Sequence, residues 1–281
     1  MKKIVLSLLF LTAGLGVQAQ LQTPQPSPSA KMEQVVGLTD VSVTYSRPSL
    51  RGRKAIGDLV PFDKLWRTGA NSNTVVSFSD AVSIDGKELP AGSYALYTKP
   101  GKSQWEVYFY KTTDNWGLPS EWNDSNVALK FMAEAQPLPF KMETFTIIID
   151  ELTNDSALFN IVWEETVVNF TVAVPTKAKA MKNIEAAMQK DPSANDYYQA
   201  ASYYHDAGLD LKKAHMWITK ATDGRADAFW YWRKKSLIEA DLKDTKAAIA
   251  SAKKSLELAE KAGNADYVKM NKDALKEWGA L

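Results

Sequence analysis

The hydrophobic period of this chain changes once, at Pro175, and that change limits the folds open to it. Before Pro175 apolar side chains recur every second residue in short runs, as Val41, Val43 and Tyr45 do against Ser42, Thr44 and Ser46. After it the chain is rich in Ala, Lys, Leu and Met and carries no further strand pattern. A period of two places alternate side chains on one face of a pleated strand, and a period near 3.6 places them on one face of a helix. The chain therefore reads as an all-β domain over 31–175 and an α-domain over 176–281. With 281 residues, each part is long enough for its own core.

Strand patterns follow one another closely in the first part. Residues 74–79, 82–84, 93–99, 105–110, 127–134, 145–150, 159–164 and 168–174 each read as a strand, with Asp85-Gly86 a hairpin turn. Residues 112–126 read as a long loop holding Trp116 and Trp122. Eight or more short strands without a long helix between them predict an antiparallel β-sandwich or jelly-roll-like domain. In the second part, Asp191-Pro192 reads as a helix start, and helices are predicted over 195–206, 211–221, 226–240, 245–261 and 265–278. Ala207-Gly208-Leu209 and Ala240-Asp241-Leu242 mark a repeat near thirty-four residues, which resembles tetratricopeptide repeats although the full consensus is missing. Tyr197, Tyr198, Tyr203, Tyr204, Trp217, Phe229, Trp230, Tyr231 and Trp232 read as inter-repeat core or as the wall of a peptide groove.

The N-terminus carries its own message. Lys2 and Lys3, an apolar run from Ile4 to Leu15 and Val17-Gln18-Ala19 have the order of a secretory signal over 1–19, cleaved near Ala19-Gln20. The mature protein is then periplasmic or secreted, with no membrane span after cleavage. Residues 20–30 read as a proline-rich linker. Cysteine is absent, which removes disulfides, thiol nucleophiles and zinc–thiolate sites. His205 and His215 are the only histidines, so the β-domain has no imidazole of its own for general base work or metal ligation. Nothing in the chain calls for a cofactor or a metal. Asp80, Asp85 and Asp124 fit no calcium-loop pattern. The net charge is +1 and no basic block stands out, so no nucleic-acid partner is expected.

The segments VGLTDVSVTYSRPSLRGR (36–53), LVPFDKLWRTGANSNTVVSFSD (59–80), GKELPAGSYALYTKPG (86–101) and FTIIIDELTNDSALFNIVWEETVV (145–168) carry a family likeness. Residues of about 28–175 resemble the secreted bacterial family known as domain of unknown function 2911. The resemblance implies a compact, β-rich, secreted domain and brings no activity with it.

Residues 45–73 hold the chain's one dense cluster of arginines, Arg47, Arg51, Arg53 and Arg67, together with Trp66, Asn71 and Asn73. Guanidiniums on adjoining loops can grip a carboxylate, phosphate or sulfate bidentately. They can equally pair with acids of their own domain, where residues 75–175 hold fourteen acidic and six basic side chains, or fasten loops by bonding backbone carbonyls. Trp66, Trp116, Trp122 and Tyr97 are either stacking platforms for a sugar or core, whereas Trp105 and Trp163 sit at alternating strand positions and read as core. The leading expectation is a non-catalytic binding or assembly module of the cell envelope. Its loop surface would take a polar, anionic or carbohydrate ligand, and its helical repeats a protein partner. The alternatives are a carbohydrate-active hydrolase that uses carboxylates only, with Asp58 and Asp63 facing Glu121 or Asp124, and a structural protein whose arginines are all internally paired.

Overall fold

The computed structural model describes residues 23–281. The expected signal over 1–19 and the first residues of the proline-rich segment lie outside the described residues. The chain divides into two compact units at Val174 and Pro175. No helix among the described residues is long and apolar enough to cross a membrane.

The first unit is one antiparallel sheet. Its strands are β1 (Ser29–Val36), β2 (Thr39–Ser46), β3 (Thr74–Phe78), β4 (Val82–Ile84), β5 (Lys87–Leu89), β6 (Gly92–Pro100), β7 (Gln104–Tyr110), β8 (Val127–Asp150) and β9 (Ser156–Ala173). They are ordered β1-β2-β3-β6-β7-β8-β9-β4-β5. β8 explains how one sheet makes two layers. Its first part pairs with β7, from Gln104 opposite Glu134 to Tyr110 opposite Val127, and its later part pairs with β9. The β8–β9 register slips between Pro137 and Met142 and again before Thr146. Proline cannot donate to a ladder, so a bend there is the natural consequence of Pro137 and Pro139. Strands far apart in sheet order then meet across a core: Phe78 of β3 lies 6.3 Å from Phe159 of β9, and Tyr45 of β2 lies 5.7 Å from Phe145 of β8. These contacts are those of a sheet folded over on itself as a sandwich.

Local features differ from the sequence reading, and the strands expected over 159–164 and 168–174 are one continuous β9. The first strand starts at Ser29, inside the proline-rich segment, and pairs with β2 along its whole length. Residues 135–144, which have no clear alternation, belong to β8. The expected hairpin is present, with Asp85 at φ 52° and Gly86 at φ 70°, the left-handed pair that a two-residue turn of this hand requires.

The second unit has six helices: α1 (Thr176–Met188), α2 (Ala194–Asp206), α3 (Leu211–Gly224), α4 (Phe229–Asp241), α5 (Thr245–Lys261) and α6 (Ala265–Glu277). The start of α2 is set by Ser193 rather than by Asp191-Pro192. The Ser193 hydroxyl accepts from the Asp196 amide while the Asp196 carboxylate accepts from the Ser193 amide, a reciprocal capping box. Tyr198 stacks on Tyr231 at 4.4 Å, and Tyr204 meets the edge of Trp217 at 4.8 Å, so aromatics join α2 to α4 and α3. His205 bonds Asp241 at 2.9 Å and thereby ties α2 to α4.

On the outer face of β7, Glu106 receives hydrogen bonds from Lys130, from Tyr108 at 2.5 Å and from Lys99 at 3.1 Å. Above all the Lys130 bond, and then those of Tyr108 and Lys99, hold its carboxyl down to about 2. A carboxyl depressed in the fold stabilises it above the ordinary value of 4.5 and stops doing so as pH falls through the depressed value. Denaturant unfolding of wild type and Glu106→Gln should therefore show a stability gap at neutral pH that closes from about pH 4.5 down to about pH 2. A gap unchanged at pH 2 would contradict this assignment.

Candidate functional site: an arginine and tryptophan cleft

The segment between β2 and β3 closes one end of the sandwich. At its start it runs beside β8, where the Leu50 amide donates to the Glu143 carbonyl and the Phe145 amide donates to the Pro48 carbonyl, both at 2.9 Å. Near its end it runs beside β6, where Trp66 and Thr98 exchange amide-to-carbonyl bonds at 2.7 and 3.0 Å. β3 stops at Thr74 opposite Leu96, so Trp66 takes the neighbouring place on β6. The Trp66 indole, only 8% exposed, stacks on Trp163 at 5.8 Å and meets the edges of Phe145 and Trp105. Its Nε1 donates to the Gly69 carbonyl at 3.0 Å, which folds the following residues back over it.

The arginines do different jobs. Arg47 donates from Nε to the Phe145 carbonyl at 3.0 Å and from Nη2 to the Thr146 hydroxyl at 2.6 Å. Arg53 donates from Nε to the Leu50 carbonyl at 2.9 Å and from Nη2 to the Ser49 carbonyl at 3.0 Å. Arg51 donates from Nη2 to the Pro26 carbonyl at 2.8 Å, and the Arg47 amide donates to the Pro28 carbonyl at 2.9 Å. The proline-rich lead-in is thus held against the sandwich. Arg67 uses Nη1 alone, donating to the Asn71 carbonyl at 2.7 Å. Nε and Nη2 share one edge of a guanidinium. In Arg47 and Arg53 that edge is engaged internally, and in Arg67, among the described residues, it is not. None of the four forms a salt bridge among the described residues. Of the two internal roles open to them, all four take backbone carbonyl partners rather than acids: Arg53 within 47–53, Arg47 on β8, Arg51 on the lead-in and Arg67 at Asn71.

Asn73, 3% exposed, anchors the 112–126 loop. Its side chain accepts from the Asn115 amide at 3.0 Å and donates to the Thr113 carbonyl at 3.1 Å, while its own amide donates to the Asn115 carbonyl at 3.2 Å. Asn115 Nδ2 donates in turn to the Tyr97 hydroxyl at 3.2 Å, and that hydroxyl donates to the Gly117 carbonyl at 3.3 Å. Burial pushes the Tyr97 phenol up to about 12, so it stays a donor across the physiological range. Trp122 packs edge-on against Tyr97 and Tyr108 and belongs to this support. Trp116 sits between the two anchored residues and is 78% exposed. Gly117 has φ 96°, and a Cβ placed there would fall 2.8 Å from Arg67 Nη1 and 3.1 Å from its Cζ. The loop backbone therefore lies directly on the Arg67 guanidinium.

These elements enclose an open cleft of about 400 Å³ lined by Ser27, Pro48, Arg53, Leu59, Val60, Trp66, Arg67, Gly69, Ala70, Asn71, Trp116 and Trp163. Of the residues singled out in the sequence, Arg53, Trp66, Arg67, Asn71, Trp116 and Trp163 meet here. Arg47, Arg51 and Asn73 lie outside the lining and hold its frame. A family model described as Protein of unknown function (DUF2911) matches residues 27–172. The chain belongs to this family. No curated protein matches the chain. The DUF2911 match begins at Ser27, whose carbonyl accepts from Asn71 at 3.1 Å, and it includes every residue of the cleft.

Asp58, Asp63, Glu121 and Asp124 are not among the lining residues; Asp124 instead accepts from Trp122 Nε1 at 2.8 Å. Among the described residues no group of three or more Asp, Glu or His side chains is placed to hold a metal ion. Sequence reasoning missed Asn115, Gly117 and Ser27. The tripeptide Asn115-Trp116-Gly117, an indole between two turn-forming residues, was the available signal for the first two.

Denaturant unfolding separates the two arginine roles. Arg47→Ala removes two bonds to β8 from a charged donor and should cost about 2–3 kcal/mol, whereas Arg67→Ala removes one, to the Asn71 carbonyl, and should cost about 1 kcal/mol. Equal losses in both would mean that the Nε/Nη2 edge of Arg67 is engaged as well.

Proposed function

We propose that this protein is a non-catalytic binding module of the extracytoplasmic space, which takes an anionic, polar ligand at the Arg67–Trp116 cleft and a protein partner on its helical unit. The observation that carries the first half is the Nε/Nη2 edge of Arg67, unbonded among the described residues, in a cleft also lined by an exposed tryptophan on a braced loop. A solvent-facing indole on a fixed loop loses little conformational freedom on binding, and a guanidinium edge is matched to an oxyanion. Among the described residues no Asp or Glu lines this cleft, so it offers the hydrolase alternative no carboxylate pair. The extracytoplasmic placement rests on the signal-like N-terminal sequence.

The second half is supported by recurrence. The cap residues Asp210 and Asp244, before α3 and α5, are thirty-four positions apart, and Ser193, Ala228 and Asn264, before α2, α4 and α6, follow at thirty-five and thirty-six. Such spacing fits tetratricopeptide-type helical hairpins, which stack to offer an extended groove.

Thermal unfolding of the mature protein against a panel of acidic sugars, phosphates, dicarboxylates and peptidoglycan fragments tests the cleft. A ligand at about one hundred times its dissociation constant adds about 2.7 kcal/mol, and that gain should vanish in Arg67→Ala. A panel without any shift would overturn the ligand reading. For the partner, chemical crosslinking of the full chain in intact cells should give crosslinked peptides from α2, α4 or α6; crosslinks confined to the β-unit would overturn it.

A further inference from the structure

We propose that the ligand of this cleft is a saccharide unit whose ring carries a carboxylate directly, the arrangement found in a uronic acid. The inference rests on the binding reading above and adds the kind of anion. The free edge of Arg67 presents two parallel N–H donors, which a planar carboxylate accepts together. Trp116 directly precedes Gly117, and the Gly117 backbone lies on the Arg67 guanidinium. Arg67 and Trp116 line the same cleft, so an anion gripped there by Arg67 has an exposed indole within that cleft. Ring and carboxylate have to be neighbours on the ligand for both to be used, which a ring-borne carboxylate satisfies and an anion on a long arm does not.

The remaining polar groups of the cleft favour a hydroxylated ring over a flat aromatic acid. Both amide hydrogens of Asn71 are engaged, at the Ser27 carbonyl and the Ser46 hydroxyl, so Oδ1 is left as an acceptor. Arg53 keeps Nη1 as a donor, its Nε and Nη2 being bonded to backbone carbonyls. An acceptor and a donor beside an apolar indole face are the complement of a sugar, whose C–H face stacks while its hydroxyls bond at the rim. No carboxylate in the lining opposes the ligand's charge.

The test is calorimetric titration of the full mature chain with galacturonate and glucuronate trimers, their methyl esters, the matching neutral trimers and inorganic phosphate. At least one acid trimer should bind, and its methyl ester should bind at least tenfold more weakly. Arg67→Lys, which keeps the charge and loses the paired donors, should weaken binding about tenfold. Trp116→Ala should do the same and remove the change in tryptophan fluorescence, with both variants melting as wild type does. An ester or neutral trimer that binds as well as the acid overturns the inference, as does acid binding indifferent to both substitutions. Phosphate binding as tight as the acid trimer overturns it while leaving an anion-binding cleft standing. If all these probes are silent the inference fails, and the broader panel then decides the cleft reading by itself.

Discussion

Trp66 ties an irregular segment of chain into the core of a folded sheet, and the rest of the candidate site depends on that tie. Its backbone takes the place on β6 that β3 leaves empty, and its indole fills the space against Trp163, Phe145 and Trp105. Burying so large a side chain is worth several kcal/mol, which offsets part of the entropy of fixing the loop, and the backbone bonds to β6 and β8 add to it. Once Trp66 is placed, Gly69, Asn71 and Asn73 follow within a few residues, and each bonds a different neighbour.

The loop's polar backbone sets the second constraint. A non-regular segment has carbonyls with no strand partner, and buried carbonyls without partners are costly. Arg53 meets that demand within the loop with its paired donors, Arg47 fastens the loop's start to β8, and Arg51 bonds the lead-in. Arginine suits this work because its charge persists at any pH and its donors are fixed in one plane. Arg67 is built differently. One donor holds the Asn71 turn, and the loop of Gly117 covers its face, so the remaining edge stays available beside Trp116. Three arginines shape the cleft's frame or wall, and the fourth gives it a chemical preference.

The strands and helices were legible in the sequence wherever burial was one-sided. Val41, Val43 and Tyr45 show it for β2, and the span of α5 is the predicted one. β1 was not legible, because an edge strand such as Ser29–Val36 is mostly exposed and mixes Lys and Glu into its alternation. The middle of β8 was hidden by its prolines, which bend the strand without ending it. At the site, residue types were legible and their partners were not. Nothing local tells Arg47 from Arg67, since the acceptors of Arg47 lie almost a hundred residues away on β8. Likewise Asn73 looks like a surface residue until Asn115 is brought beside it.

Among the described residues Arg67 engages neither Nε nor Nη2, whereas Arg47 and Arg53 engage both, and the anion grip depends on that difference. Side-chain nitrogen NMR of the ligand-free protein reads this directly through exchange of the arginine Nε–H protons. Slow exchange is expected for Arg47 and Arg53, whose Nε–H groups are bonded to carbonyls, and fast exchange for Arg67. Protection of Arg67 equal to that of Arg47 would show that its edge is already engaged, and the cleft would then have no anion grip to offer.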